Sequence, residues 1–89
     1  MARREKVIEV LDGDTFKTAS RKNPVRLARV NAPEKDERGG GAATKALRDL
    51  ILGEEVTIET VGRSYGRAVA NVKLGRRSVN KAMKEKINN

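Results

Sequence analysis

The sequence predicts a small, mainly β (α+β) domain: five strands, one helix between the third and fourth, and a short helix at the C-terminal end. Three observations carry this. Apolar residues alternate with polar ones in short runs. Two longer stretches place apolar residues at helical spacing. Turn residues separate nearly every pair of runs. With 89 residues, one domain spanning 1–89 is the expectation, with a modest core and little stability to spare.

The elements follow in order. "KVIEVLDGD" reads as a strand entering a turn, with Val7, Ile8 and Val10 available for burial. "TFKTAS" is the second strand, Phe16 pointing inward, and "RKNP" turns the chain. "VRLARVNAP" is the third strand, halted by Pro33, with Arg26, Ala28 and Val30 on one face by the two-residue period. "EKDERGGG" reads as a flexible loop, because three glycines lose too much entropy in a regular element. "AATKALRDLIL" is a helix with Ala43, Leu47, Leu50 and Ile51 on one stripe, ended by Gly53. "EEVTIETV" alternates, with Val56 and Ile58 inward, and "YGRAVANVKL" is the fifth strand. "SVNKAMKEKI" is a short helix that Ser78 can cap, with Val79, Ala82, Met83 and Ile87 facing the core. A helix between strands three and four of such a set is the layout of an OB-fold, a Greek-key barrel.

Composition removes whole classes of chemistry. There is no cysteine and no histidine, so disulfides, thiolate and imidazole zinc sites, and histidine-based triads are excluded. No apolar run approaches membrane-span length, so no membrane partner is expected. The basic start "MARREKVIEV" lacks the apolar core of a signal peptide, and a cytoplasmic location is the expectation. The net charge of +8 is unevenly placed. Residues 1–62 are close to neutral, whereas Arg63, Arg67, Lys73, Arg76, Arg77, Lys81, Lys84 and Lys86 face only Glu85 in the last third. Such a tail suits polyphosphate partners through counterion release and steering, or serves as a solubilising surface.

Against this basic background the acids stand out. Asp12 and Asp14 flank one glycine in "DGD", and Glu34 follows the third strand in "NAPE". Loops two connections apart in an antiparallel meander can meet at one barrel end. Three carboxylates and the Asn31 amide oxygen would then form a hard-oxygen set suited to Ca²⁺ or Mg²⁺. Taken alone, "DGD" reads more simply as a β-turn. Arg26 and Arg67 sit in strands, where a guanidinium is costly to bury without a partner and matches phosphate bidentately. Taken singly, an exposed strand position or salt bridge accounts for Arg26, and a solvated edge for Arg67.

Taken together, "DGDTF", "VRLARVNAPE", "GGGAATKALRDLILG", "YGRAVANV" and "SVNKAM", in that order, resemble the staphylococcal nuclease (thermonuclease) family, from about Lys6 to Ile87. The resemblance implies a Ca²⁺-dependent phosphodiesterase acting on DNA and RNA with little sequence preference. It makes Asp14 a direct metal ligand, Asp12 the neighbouring acid that shapes the site, and Asn31 the second side-chain ligand. Ala32 would offer its backbone carbonyl. Glu34 would hold the attacking water beside the metal and act as general base. Arg26 and Arg67 would grip the phosphate, and Tyr65 would hydrogen-bond a nucleotide phosphate. Lys73, Arg76, Arg77, Lys81 and Lys84 are expected to add nucleic-acid contacts by charge. The alternative is a non-catalytic OB-type nucleic-acid-binding module, a fate the architecture allows.

Departures are visible too. Asn31 stands where the best-known family member has aspartate, so weaker metal binding is expected. Arg63 and Ser64 precede Tyr65 in place of the usual acid and base. The sequence ends at Asn89 without the family's third helix or its second stacking tyrosine. Affinity is therefore expected to lean on charge and to fall steeply with salt. A second copy of the chain, as a homodimer, is a candidate cover for the apolar surface this would expose.

Overall fold

Apolar alternation and the breaks in it shape the barrel. The computed structural model describes residues 2–88. Strand β1 (Arg3–Asp12) turns Glu5, Val7 and Val10 inward. Its register slips against β2 between Val7 and Glu9, and this bulge restores an inward position at Val10 while leaving Ile8 exposed. The burial expected of Ile8 is thereby corrected. Strand β2 (Thr15–Thr18) buries Phe16 completely, as anticipated.

Strand β3 is shorter than the sequence suggests, running only from Val25 to Leu27. Val25 and Leu27 point inward and Arg26 outward. Arg29 then takes a left-handed conformation (φ 62°), which breaks the two-residue period, and Ala28 and Val30 are buried from a turn. Arg26 therefore does not share a face with Ala28 and Val30.

Helix α1 (Gly40–Ile51) buries Ala43, Leu47 and Ile51, with Leu50 at the edge of the core. It starts two residues earlier than expected, taking Gly40 and Gly41 into its first turn. Strands β4 (Glu55–Ser64) and β5 (Arg67–Leu74) form the long hairpin. A two-residue strand β6 (Arg77–Ser78), which the sequence did not reveal, pairs with the end of β5. Helix α2 (Val79–Asn88) follows at once, and the Ser78 hydroxyl accepts the Lys81 N–H at 3.1 Å as its cap.

The sheet order is β3-β2-β1-β4-β5-β6, antiparallel throughout except where β3 pairs in parallel with β5 and closes the barrel. This is the expected OB-type Greek-key barrel, with one helix between β3 and β4. Phe16, Leu27, Leu47, Ile51, Ile58 and Met83 are its largest fully enclosed side chains, each contributing about 1.5–3 kcal/mol by leaving water. Between α1 and α2 an apolar groove of about 240 Å³ remains open, lined in part by Ala46, Leu50, Ala82 and Met83. Among the described residues no helix is long and apolar enough to cross a membrane.

Candidate active site

The two acids sit on a tight hairpin. Asp12 pairs with Thr15, so Gly13 and Asp14 form the loop between β1 and β2. Asp12 Oδ1 accepts the Asp14 N–H at 3.0 Å, the local bond that makes aspartate a turn former. Gly13 allows the close approach that follows: a Cβ there would lie 2.6 Å from the Ala43 Cβ of α1 and 2.7 Å from the Ala32 Cβ. The turn is thus pressed between the helix and the loop after β3.

That contact fixes Asp14, which is only 7% exposed. Its Oδ1 accepts the Thr15 hydroxyl at 2.8 Å and its Oδ2 accepts the Ala32 N–H at 3.0 Å. Arg26 Nη2 stands 3.6 Å from the same Oδ2 and donates to Asn31 Oδ1 at 2.7 Å. The positive group beside the acid pair is therefore the Arg26 guanidinium. β2 and β3 make this meeting unavoidable, because Thr15 and Arg26 are direct cross-strand partners.

The two carboxylates are shifted in opposite directions. Burial pushes Asp12 up; the neighbouring Asp14 carboxylate adds to this, and the Asp14 N–H and Thr15 hydroxyl only partly oppose it. Burial also pushes Asp14 up, but hydrogen bonding from Asp12, the Ala32 N–H and the Thr15 hydroxyl, with the Arg26 charge, outweighs it and holds Asp14 below the usual carboxylate range. Asp14 is the more acidic member of the pair.

The loop carrying Asn31 and Ala32 is anchored by a residue the sequence reading did not single out. Asn80, in the first turn of α2, donates through Nδ2 to the carbonyls of Ala28 and Ala70 at 3.0 Å each and accepts the Val72 N–H at 2.7 Å. The Ala28 N–H donates to the Ala70 carbonyl at 2.8 Å. One amide thus sews α2, β5 and the exit from β3 together. Its only trace in the sequence is a polar side chain between Val79 and the rest of an apolar stripe.

Glu34 is held by its backbone rather than its carboxylate. Its N–H donates to Glu37 Oε1 at 2.7 Å, and its carbonyl accepts the Glu37 N–H at 2.9 Å. A Cβ at Gly40 would overlap the Glu34 carbonyl, so a glycine must open α1 for this loop to rest on it. The Glu34 carboxylate is exposed, and among the described residues no hydrogen bond or ion pair joins it to Asp14, Asn31, Arg26 or Arg67.

Arg67 opens β5, with Nε donating to the Ser64 carbonyl at 3.4 Å. In the parallel β3–β5 pair Arg26 is opposite Val69, so Arg67 lies on the same outward face, one two-residue step along. Ser64 pairs with Arg67, which leaves Tyr65 and Gly66 as the hairpin tip with φ of 52° and 79°. These are the signs of a type I′ turn, and tyrosine is an unfavourable occupant of its first position. The Tyr65 side chain is almost wholly exposed.

The basic tail is spread out. Lys84 lines a small cleft with Arg29, Val30 and Asn31, next to the candidate site. Arg76 and Arg77 lie beyond the far end of β5 from Arg67, roughly 25 Å away at the usual rise per residue. Lys73 and Lys81 are exposed.

The side-chain donors here are hard oxygens, which suit a divalent cation such as Ca²⁺. Among the described residues no three acidic, histidine or cysteine side chains converge on one point. Any such set therefore rests on Asp12 and Asp14, completed by Asn31 and backbone oxygen.

The family model described as "Staphylococcal nuclease homologue" matches residues 24–86, from the turn before β3 into the last turn of α2. Among curated relatives, an uncharacterized endonuclease of Escherichia coli O157:H7 is 37% identical over 70 residues, covering 75% of this chain and 46% of its own length. An uncharacterized endonuclease of Haemophilus influenzae is 33% identical over 82 residues, covering 88% and 46%. A micrococcal nuclease of Shigella flexneri is 36% identical over 72 residues, covering 78% and 41%. The chain spans about half the length of the curated relatives it matches. On the extent of the family match and the coverage of these relatives, the chain belongs to the staphylococcal nuclease homologue family.

Proposed function

We propose that this domain hydrolyses phosphodiester bonds of DNA or RNA with little sequence preference, assisted by one divalent cation, Ca²⁺ or Mg²⁺. The observation that carries the reading is the buried Asp14 carboxylate set beside Arg26, with Arg67 on the same barrel face. A surface that only bound phosphate would gain nothing from an anionic side chain there. A surface that binds phosphate and also holds a cation needs both signs together.

Asp14 and Asn31 would hold the cation, with the Ala32 carbonyl, and Asp12 would sit behind them. When bound, the cation would offset charge on a non-bridging oxygen and make a nearby water more acidic. Arg26 and Arg67, both half-buried and sharing one sheet face, bind the phosphate and stabilise the charge that accumulates as the phosphorus becomes five-coordinate. Glu34 takes the proton from the attacking water. Its exposed loop position lets the carboxylate swing towards a substrate lying across the face. Tyr65 offers its hydroxyl to a neighbouring phosphate from the hairpin tip.

The second reading, a binding module without catalysis, is favoured by one observation. Asn31 Oδ1 is engaged by Arg26, so this oxygen must exchange partners before it can ligate an ion. Incubating single-stranded DNA and RNA with Ca²⁺, with Mg²⁺ and with chelator, beside Glu34→Ala and Arg67→Ala, separates the two. Hydrolysis predicts cleavage that chelator abolishes and that each substitution lowers by roughly 10²–10³. Binding without cleavage selects the module. Cleavage indifferent to both chelator and substitution rejects the proposed site.

A further inference from the structure

Next to Arg67 lies a second basic feature that the site above does not use. A cleft of about 180 Å³ opens between the β2–β3 turn and the β4–β5 hairpin, lined by Arg21, Lys22, Asn23, Arg63, Gly66 and Ala68. Three of these residues are basic and none is acidic. Gly66 and Ala68 flank Arg67 in the chain, so the cleft adjoins the strand position that carries the proposed phosphate-gripping arginine.

The cleft is built, not merely charged. Arg21 Nε lies 2.9 Å from both carboxylate oxygens of Glu5, and Nη2 lies 2.8 Å from Oε2. The Glu5 side chain is only 3% exposed, and the hydroxyls of Thr18 and Ser20 complete its shell at 2.8 and 2.9 Å. Burying a carboxylate to pair it with an arginine adds little stability compared with apolar packing. What it does add is orientation. The guanidinium loses its rotamer freedom before a ligand arrives, which lowers the entropy lost on binding. Among the described residues none of the Arg21 hydrogen bonds uses Nη1. Lys22 in the same turn and Arg63 near the end of β4, both exposed, bring two further cations.

We infer that this cleft is an accessory phosphate subsite, which takes a backbone phosphate of the same nucleic-acid strand, flanking the one held by Arg26 and Arg67. The inference rests on the phosphodiesterase reading for the identity of the anion. It assigns Glu5 a positioning role through Arg21, and it gives Arg63 a purpose on the hairpin that carries Tyr65.

The test compares Lys22→Ala/Arg63→Ala with the unsubstituted protein in chelator, where any metal-assisted cleavage is blocked. Binding is measured by fluorescence anisotropy on a ten-nucleotide single strand and by calorimetry on a dinucleotide with one phosphodiester. A Lys45→Ala/Arg48→Ala variant, which removes equal charge from the exposed face of α1, is the control. The expected result is about five- to tenfold weaker binding of the long strand and a log–log salt slope about 1.4 less negative. Dinucleotide affinity and the control variant change less than about twofold on the same scale. Equal loss on both ligands, equal loss in the control, or no loss on the long strand overturns the subsite. Matching circular dichroism confirms that all variants are folded. Cleavage of the dinucleotide by the unsubstituted protein with Ca²⁺ tests the hydrolytic reading separately, so either idea can fail while the other stands.

Discussion

The two regions joined by β1 each pair a buried carboxylate with an arginine, and they are finished differently. Near the start of the strand, Glu5 is fully engaged: two hydroxyls and one guanidinium hold it at 2.8–2.9 Å. Beyond its other end, Asp14 stands beside a second acid and meets its arginine only at 3.6 Å, while that arginine's short bond goes to Asn31. In the first region both oxygens of the Glu5 carboxylate are engaged within the protein, which leaves it no place for a ligand and leaves only its oriented arginine to face outward. The second has a repelling acid pair, a loosely paired arginine and an amide oxygen that can change partner. A closed ion pair supports a fold or orients a neighbour; an unfinished one can take up a ligand.

Substitutions at four places, residues 14, 5, 31 and 40–41, would break or sharpen this contrast, in decreasing order of effect. Asp14→Asn keeps the shape of the turn and removes the ionised ligand. Cleavage of single-stranded DNA in saturating Ca²⁺ is expected to fall by roughly 10²–10³, with little change in melting temperature. A drop in melting temperature large enough to account for the lost activity would make Asp14 a second structural lock and erase the difference between the two regions.

Glu5→Ala is expected to do the reverse. It leaves the Thr18 hydroxyl buried and Arg21 without its partner, at a cost of about 2–4 kcal/mol. This is below the figure for a wholly buried pair, because Arg21 still reaches water. Urea unfolding measures it, and turnover of a dinucleotide by the folded fraction is unaltered. The same region sets the acid limb of stability. Burial pushes Glu5 up, but its bonds to Arg21, Thr18 and Ser20 and the Arg21 charge outweigh this and hold it below its ordinary value of 4.5. The unfolded chain therefore binds this proton first. The stabilisation is complete above the ordinary value and disappears as pH falls through the depressed folded value. Glu5→Gln should flatten unfolding free energy against pH in that window, and an unchanged acid limb would show that other carboxylates set it.

Asn31→Asp returns a charge to the unfinished region. The Ca²⁺ concentration giving half-maximal cleavage is expected to fall about three- to tenfold, since affinity follows ligand charge. An unchanged midpoint removes Asn31 from the ligand set. The smallest expected effect is Gly41→Ala. A Cβ there meets nothing within 4 Å, so the protein is expected to gain about 0.5 kcal/mol. Its neighbour gives the opposite sign: Gly40→Ala must push the Glu34 carbonyl away, so it lowers both stability and activity.

The sequence made the barrel readable because alternation and helical spacing are local. It was least informative where a distant contact decided a local question. Ile8 looks like a core residue, but with Val7 inward the two-residue period turns it out, and the β1 bulge then gives the next inward place to Val10 rather than Glu9. Gly40 and Gly41 look like loop residues until packing against the Glu34 backbone makes a glycine at position 40 the only fit. The third strand ends at Leu27 because Ala28 turns to β5 and Asn80, a partner 52 positions away. At the candidate site, the strand–turn pattern alone suggested a plain turn at Asp14 and an exposed or paired arginine at Arg26, and only the family resemblance joined them; the register sets the β2 residue next to Asp14 directly across from Arg26. The Glu5–Arg21 lock was not readable, since its three partners come from β2 and the turn after it.

The Asn80 clamp ties the seating of the last helix to the exit from β3. The same amide grips the carbonyl three residues before Asn31 and two groups on the strand of Arg67. A force that tilts α2, such as another segment settling along its outer side, would therefore reach the proposed catalytic face without touching it. The placement of one helix and the shape of a distant strand end are thus tied through a single side chain.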